Sequence, residues 1–343
     1  MTHRKLKRKQ WLDRRSKKIG RKKNYSVTMP HTSERSHTYV SSKRTSSGQW
    51  ITLTPPSVFS FILNTENTMV FFDDFADQIR RQAHGTSFFI DSRDVEKVTV
   101  DALIYLIAIL ENKVNNSSKK YSYAGNYPDN QDANRVYQES GFNTYVKSHI
   151  KRLPESNDKM QIIGNTKNES SLTKPFCDFV IHSLGKTRVD VIPLQSIFVE
   201  LMSNVYHHAY GNQAFMKKCW YVYAEHIDDG VRFVFVDTGL GIAKTVKKKL
   251  LERVGNALRV GSTDSKLIES AFNGDYRSQT NDPNRGNGLS RVKAMATSGL
   301  FETFEVYSGH GKVCLQNDAY ADILHTEDYK NSLYGTLYTF VIR

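Results

Sequence analysis

Residues 220–237 read WYVYAEHIDDGVRFVFVD, two apolar runs separated by Asp228-Asp229-Gly230. Aromatic and β-branched residues crowd both runs, and an Asp-Asp-Gly reversal suits a tight turn. We therefore expect strands over Trp220–His226 and Val231–Asp237. The second ends in a carboxylate and leads into Thr238-Gly239-Leu240-Gly241-Ile242. A carboxylate at the end of a buried strand can accept a hydrogen bond from an exocyclic amine. Two glycines then let the backbone approach a ligand closely. An ordinary strand-ending turn uses the same residues.

Working outward, Val199–Ala209 reads VELMSNVYHHA. On a helix, Glu200, Asn204 and His208 fall within about 80° of one another, because steps of four residues advance about 40°. Leu194, Phe198, Leu201 and Val205 make an apolar stripe beside them. The plainer alternative is a solvated polar face with an i,i+4 pair. Downstream, Arg285-Gly286-Asn287-Gly288-Leu289 opens a helix that continues RVKAMA. Free amides at a glycine-rich helix start suit phosphate, although such glycines also serve turns. The chain closes on Gly335-Thr336-Leu337-Tyr338-Thr339-Phe340, in a final strand. Further helices are expected over Lys174–Leu184 and from about Pro193, and closing strands over Phe304–Tyr307, Lys312–Leu315 and Thr336–Ile342. A long polar stretch runs to Arg285.

In this order, a Glu200-x3-Asn204 helix, DxGxG after a strand, GxG before a helix and GTxYxF in a last strand, the motifs resemble the GHKL superfamily. Its members include the B subunit of DNA gyrase, the mismatch-repair protein MutL, histidine kinases and the anti-sigma-factor serine kinases. The resemblance covers about half the chain. It implies a GHKL-like α/β sandwich over 176–343, a mixed sheet with helices on one face, binding ATP and magnesium. By the resemblance, Asn204 ligates the magnesium and His208 lies on the same nucleotide-binding helix. Asp237 binds the adenine amino group, with Thr336 nearby through water. Gly239, Gly241 and Ile242 shape the pocket floor. Arg285, Gly286, Gly288 and Leu289 line the phosphates, at the end of a mobile lid over about 244–285. Glu200 stands where hydrolytic members and serine kinases keep a general base. Thr238 replaces the commoner Asn, and the third motif has one GxG rather than a longer glycine run. No phosphoacceptor-histidine helix pair precedes the domain, which counts against a sensor histidine kinase.

The first half alternates elements. A helix around Thr68–Ala83 puts Val70, Phe71, Phe75 and Ile79 near one face. A strand over Thr86–Asp91, an apolar helix over Val100–Leu110, a strand over Lys120–Ala124 and a helix over Asp132–Ser140 follow. This is the pattern of a small α/β domain. TSFFIDSRDVEKVTVDALIYLIAIL, with the later NYPDN and ESGF, resembles STAS domains, the fold of anti-sigma-factor antagonists. An unrelated small α/β domain is the alternative. The STAS resemblance implies a protein partner for this part. Where regulatory STAS domains carry a phosphoaccepting serine, this chain has Asp101, which removes support for a kinase acting on its own STAS-like part. The expected organisation is a basic disordered tail over 1–49, a STAS-like domain over 50–153, a linker over 154–175 and the ATP-binding domain over 176–343.

The formal net charge of +13 sits in the first fifty residues, which hold fifteen Lys and Arg against two acids; the remainder is neutral. Clustered cations with Trp11 can neutralise phosphates while the ring stacks on a base, so nucleic acid is the expected partner of residues 1–23. An anionic membrane surface, an acidic protein or no partner are the alternatives. Three widely spaced cysteines support neither a zinc site nor a disulfide framework and fit a reducing cytoplasm. No apolar run is long enough to span a bilayer, and no secretory signal is present. The function expected is an ATP-hydrolysing conformational switch. A serine/threonine protein kinase and a non-hydrolysing ATP-bound scaffold are the rivals. Many GHKL relatives act as dimers, so a homodimer is in view.

Deleting residues 1–23, which hold twelve Lys and Arg against Asp13, is expected to abolish nucleic-acid binding and leave ATP affinity unchanged. In the full chain each neutralised phosphate should contribute roughly 0.7–0.9 to the log–log salt slope. Salt titrations of both forms check this; a deletion that still binds tightly moves the site into the folded residues.

Overall fold

The structure, a computed structural model, describes residues 39–45, 48–82, 85–111, 121–146, 157–206, 218–254, 262–275, 288–296, 301–318 and 321–343. They belong to one unit, His37–Arg343. The first half holds β1 (Tyr39–Thr45), β2 (Gly48–Thr54), β3 (Val58–Phe59), α1 (Thr65–Arg81), β4 (Ser87–Ile90), β5 (Lys97–Val98), α2 (Val100–Ile109), β6 (Ser122–Gly125), α3 (Gln131–Glu139) and α4 (Phe142–Tyr145). The second holds β7 (Lys159–Asn165), α5 (Lys174–Leu184), α6 (Ile192–Asn204), β8 (Trp220–Ile227), β9 (Gly230–Asp237), α7 (Ile242–Val254), α8 (Asp264–Asn273), α9 (Gly288–Ala296), β10 (Phe301–Asp318) and β11 (Ala321–Ile342). The architecture is mixed α/β.

Five strands form the central sheet in the order β10-β11-β9-β8-β7, and four form a second sheet, β1-β2-β4-β6. The central sheet was expected to be mixed and is antiparallel at every pairing. Two hairpins, β8–β9 and β10–β11, supply four of its strands, and a short turn can only return a strand antiparallel. The parallel pairs lie in the first half, where β4 runs parallel to both β2 and β6.

Several expectations needed correction. Residues 39–45, placed in a disordered tail, pair as β1 along the whole of β2; an edge strand needs main-chain partners more than apolar side chains. Residues 159–165, placed in a linker, form the sheet's edge strand β7, with Gln161 and Ile162 buried. The long polar stretch before Arg285 contains α7 and α8. Helix α8 buries Leu267, Ile268 and Phe272, and its start is fastened to the β10–β11 hairpin. There Ser265 donates through N and Oγ to Asp328, at 3.0 and 2.5 Å, and Asp264 accepts the His310 N–H at 2.9 Å. That part of the expected lid is therefore an anchored helix.

Both faces of the central sheet are buried, which is why its inner strands read as continuous apolar runs. Trp220, Val222, Phe233, Phe235 and Phe340 meet the helices of the second half, where Phe198 of α6 lies 5.2 Å from Phe233 between ring centres. Tyr221, Tyr223, Val234, Val236 and Leu337 alternate to the opposite face and join the core of the first half. Helix α2 lies against that face, and all ten of its residues are buried. A helix apolar on every side has no solvent face to offer, so VDALIYLIAI specifies an interior element.

Asp101, in the first turn of α2, is 1% exposed. Its carboxyl accepts the N–H of Ile62 at 3.1 Å and of Ala102 at 2.6 Å, and the Thr99 hydroxyl. Burial pushes it up to about 6 despite these hydrogen bonds. The unfolded chain then ionises first, so this carboxyl stabilises the fold most below about pH 4, and that contribution is lost as pH rises towards 6. Asp101→Asn stays neutral throughout. Denaturation of parent and variant across pH 4–7 should show the difference moving in the variant's favour through that window; a constant difference contradicts the assignment.

Candidate functional site

Asp237 is the last residue of β9 and stands in register between Trp220 of β8 and Thr336 of β11. Asp237 and Thr336 are 4% and 3% exposed. Asp237 Oδ1 accepts the Gly239 N–H at 2.8 Å, which folds the chain tightly after the strand. Gly241 follows with φ at 82°, and its carbonyl accepts from Thr245 as α7 begins at Ile242. Tyr338, two residues beyond Thr336, is pushed well up, first by burial and then by the Asp237 charge.

Ser308 of β10 joins these pieces. Its hydroxyl accepts the Ile242 N–H at 2.8 Å and donates to the Gly335 carbonyl at 3.0 Å. Two glycines permit the approach. A Cβ on Gly241 would come within 2.6 Å of Ser308 Oγ. One on Gly335, whose φ is 75°, would overlap the Asp237 carbonyl and lie 2.6 Å from Thr238 Cα. The second and fourth motifs thus interlock with no room for side chains between them.

The first and third motifs meet separately. Helix α6 buries Leu194, Ile197, Phe198, Leu201 and Met202, leaving Glu200 and Asn204 one turn apart on its partly exposed side. Gly288, the first residue of α9, sits so close that a Cβ would lie 2.9 Å from Glu200 Oε2 and 3.3 Å from Asn204 Oδ1. Arg291, three residues on and so on the same face, places Nη1 3.2 Å from Glu200 Oε1. The Asn204 Nδ2 is buried without a hydrogen-bond partner among the described residues. Leu289 packs into the core beside them. His208, Arg285 and Gly286 lie outside the described residues.

One cluster is therefore a tightly packed main-chain junction with a buried carboxylate and hydroxyl. The other sets a carboxylate, an amide and a guanidinium against a helix start. Among the described residues no group of three or more His, Cys, Asp or Glu side chains is placed to hold a metal. Sequence reasoning missed Ser308, Arg291 and the contact of Gly335 with Asp237. The run Ser308-Gly309-His310-Gly311 inside an apolar strand is the signal of a bulge; the other two carry none. The chain matches no family model, no curated protein and no solved structure.

Gly335→Ala combines a left-handed backbone with overlap onto Asp237 main chain, so it should lower stability by about 2 kcal/mol or more. Gly288→Ala meets only the movable tips of Glu200 and Asn204 and should cost about 1 kcal/mol or less, the intrinsic preference of a helix for Ala offsetting part of it. Urea denaturation of both variants checks the contrast; equal losses would mean that the two glycines act alike.

Proposed function

We propose that the chain binds magnesium–ATP at these clusters and hydrolyses it as a conformational switch. The observation that carries the reading is that four motifs, distant in sequence, meet in pairs: DxGxG with GTxYxF at Asp237 and Thr336, and the Glu200–Asn204 helix with GxG at Gly288. Motifs present by chance have no reason to touch. The helices of the second half cover one face of the sheet, in keeping with the reading, while the other face carries α2 and every pairing is antiparallel, which the GHKL resemblance does not imply.

In this reading Asp237 accepts a hydrogen bond from the adenine amino group, and Thr336 shares that end of the base. Gly239 and Gly241 form the floor. The start of α9, at Gly288, would lie beside the phosphates. The Asn204 side chain offers the kind of oxygen ligand a hard divalent ion takes, and magnesium needs few protein groups. Asn204 Oδ1 would hold it, and the ion would offset phosphate charge. Glu200 would take the proton of the attacking water, with Arg291 keeping its carboxylate oriented. The first half lies against the sheet face behind the site, in position to respond to it. Asp101, which the STAS resemblance sets where regulatory members carry a serine, is buried and hydrogen-bonded and cannot form that phosphoserine.

Incubation with γ-labelled ATP and magnesium should release free phosphate; a labelled protein or unchanged ATP would reject hydrolysis. Nucleotide titrations of three variants test the roles. Asp237→Asn should weaken ATP binding by about 1.5–3 kcal/mol, the worth of a charged hydrogen bond. Glu200→Gln should bind ATP like the parent yet turn over slowly, because its contribution lies in the chemical step. Asn204→Ala should abolish the gain in affinity from magnesium. Equal binding losses for Asp237→Asn and Glu200→Gln would overturn the division of roles.

A further inference from the structure

The β10–β11 ladder skips two residues beside the candidate site. Ser308 pairs with Thr336, but its neighbour Gly309 pairs with Leu333, so Tyr334 and Gly335 bulge out of the ladder. The pairing of β11 with β9 also begins only at Thr336. A bulge in a buried region strands main-chain groups, and these need partners. The Ser308 hydroxyl takes the Gly335 carbonyl. Both groups of Tyr334 are taken by one atom from the other half of the chain. The Tyr105 hydroxyl donates to the Tyr334 carbonyl at 2.8 Å and accepts the Tyr334 N–H at 2.8 Å.

Tyr105 is held rigidly for this task. It is 1% exposed, with Phe72 and Phe61 packed edge-on at 4.6 and 5.4 Å between ring centres. Its neighbours in the last two turns of α2 are aliphatic, so its hydroxyl is the polar atom that the helix presents there. The bulge it grips turns Gly335 against Asp237 and delivers Thr336 opposite that carboxylate.

We propose that Tyr105 is a positioning residue through which the first half of the chain sets the base-reading end of the nucleotide site. This rests on the ATP-binding reading above. By linkage the effect runs both ways: a shift of α2 changes the fit of the base, and a bound base tightens the grip on Tyr334.

The full chain and two variants are titrated with magnesium–ATP and magnesium–GTP, with thermal unfolding measured alongside. Tyr105→Phe, losing one hydroxyl that serves two hydrogen bonds, should weaken ATP about tenfold and reduce the preference for ATP over GTP by a similar factor. Its gain from magnesium should be unchanged, because the phosphate end is untouched. Tyr121→Phe likewise removes one buried hydroxyl that serves two main-chain carbonyls, those of Ile79 and Gln82 at 2.6 and 3.0 Å, but these lie within the first half, so it should bind as the parent does. A folded Tyr105→Phe with the parent's base preference overturns the proposal, whether ATP affinity holds or falls equally with GTP. Hydrogen exchange of the Tyr334 amide in the parent gives a second measure that needs no variant. Nucleotide should slow it severalfold, and an unchanged rate also overturns the proposal. A parent chain that binds no nucleotide is a different result, seen in the first titration, and removes the ATP reading together with this one.

Discussion

The central sheet is desolvated on both faces, and the rest of the molecule is arranged around that condition. Its inner strands can carry apolar residues almost throughout, so polar chemistry is confined to places where strands end or break pairing. Asp237 at the end of β9 and Thr336 at the start of the β9–β11 pairing are such places. Inside that environment a polar group without a partner is costly. Single hydroxyls therefore become structural: Ser308 serves Ile242 and Gly335, and Tyr105 serves Tyr334. The junction at Asp237 is built from what a dry sheet must do with a bulge.

Much of this was legible in the sequence where one element announces itself. Helix α5 runs over the residues expected, and the Asp228-Asp229-Gly230 turn closes the expected hairpin. The strongly apolar helix expected over Val100–Leu110 forms as α2. Elements held by distant partners were not legible. Helix α7 is rich in lysine, α8 has three buried apolar residues, and the pairing of β1 with β2 depends on main chain. The closing strands Phe304–Tyr307 and Lys312–Leu315 are one strand, β10, because Ser308–Gly311 is a bulged region rather than a turn. For the candidate site, the ordered motifs singled out Asp237 and Thr336, and Glu200, Asn204 and Gly288, which the fold brings together in two clusters. The contact of Tyr105 with Tyr334 joins residues 229 apart, and no local pattern encodes it.

The two clusters differ in how they are held, and that difference bears on how a switch could work. The Asp237 end is fixed by main chain, by two glycines and by buried hydroxyls, none of which can yield without unsatisfying a desolvated group. The Glu200 end meets α9 through side-chain tips and an ion pair whose arginine is 50% exposed. Such a pair contributes about 0–1 kcal/mol. Helix α8, fastened to the β10–β11 hairpin through Asp264 and Ser265, belongs with the fixed part. Movement in response to phosphate would therefore fall on the start of α9. A nucleotide anchored by its base would find one end of its site rigid and the other adjustable. On the proposed reading, that asymmetry would let the presence or loss of a terminal phosphate change contacts at Gly288 and Arg291 without disturbing the sheet.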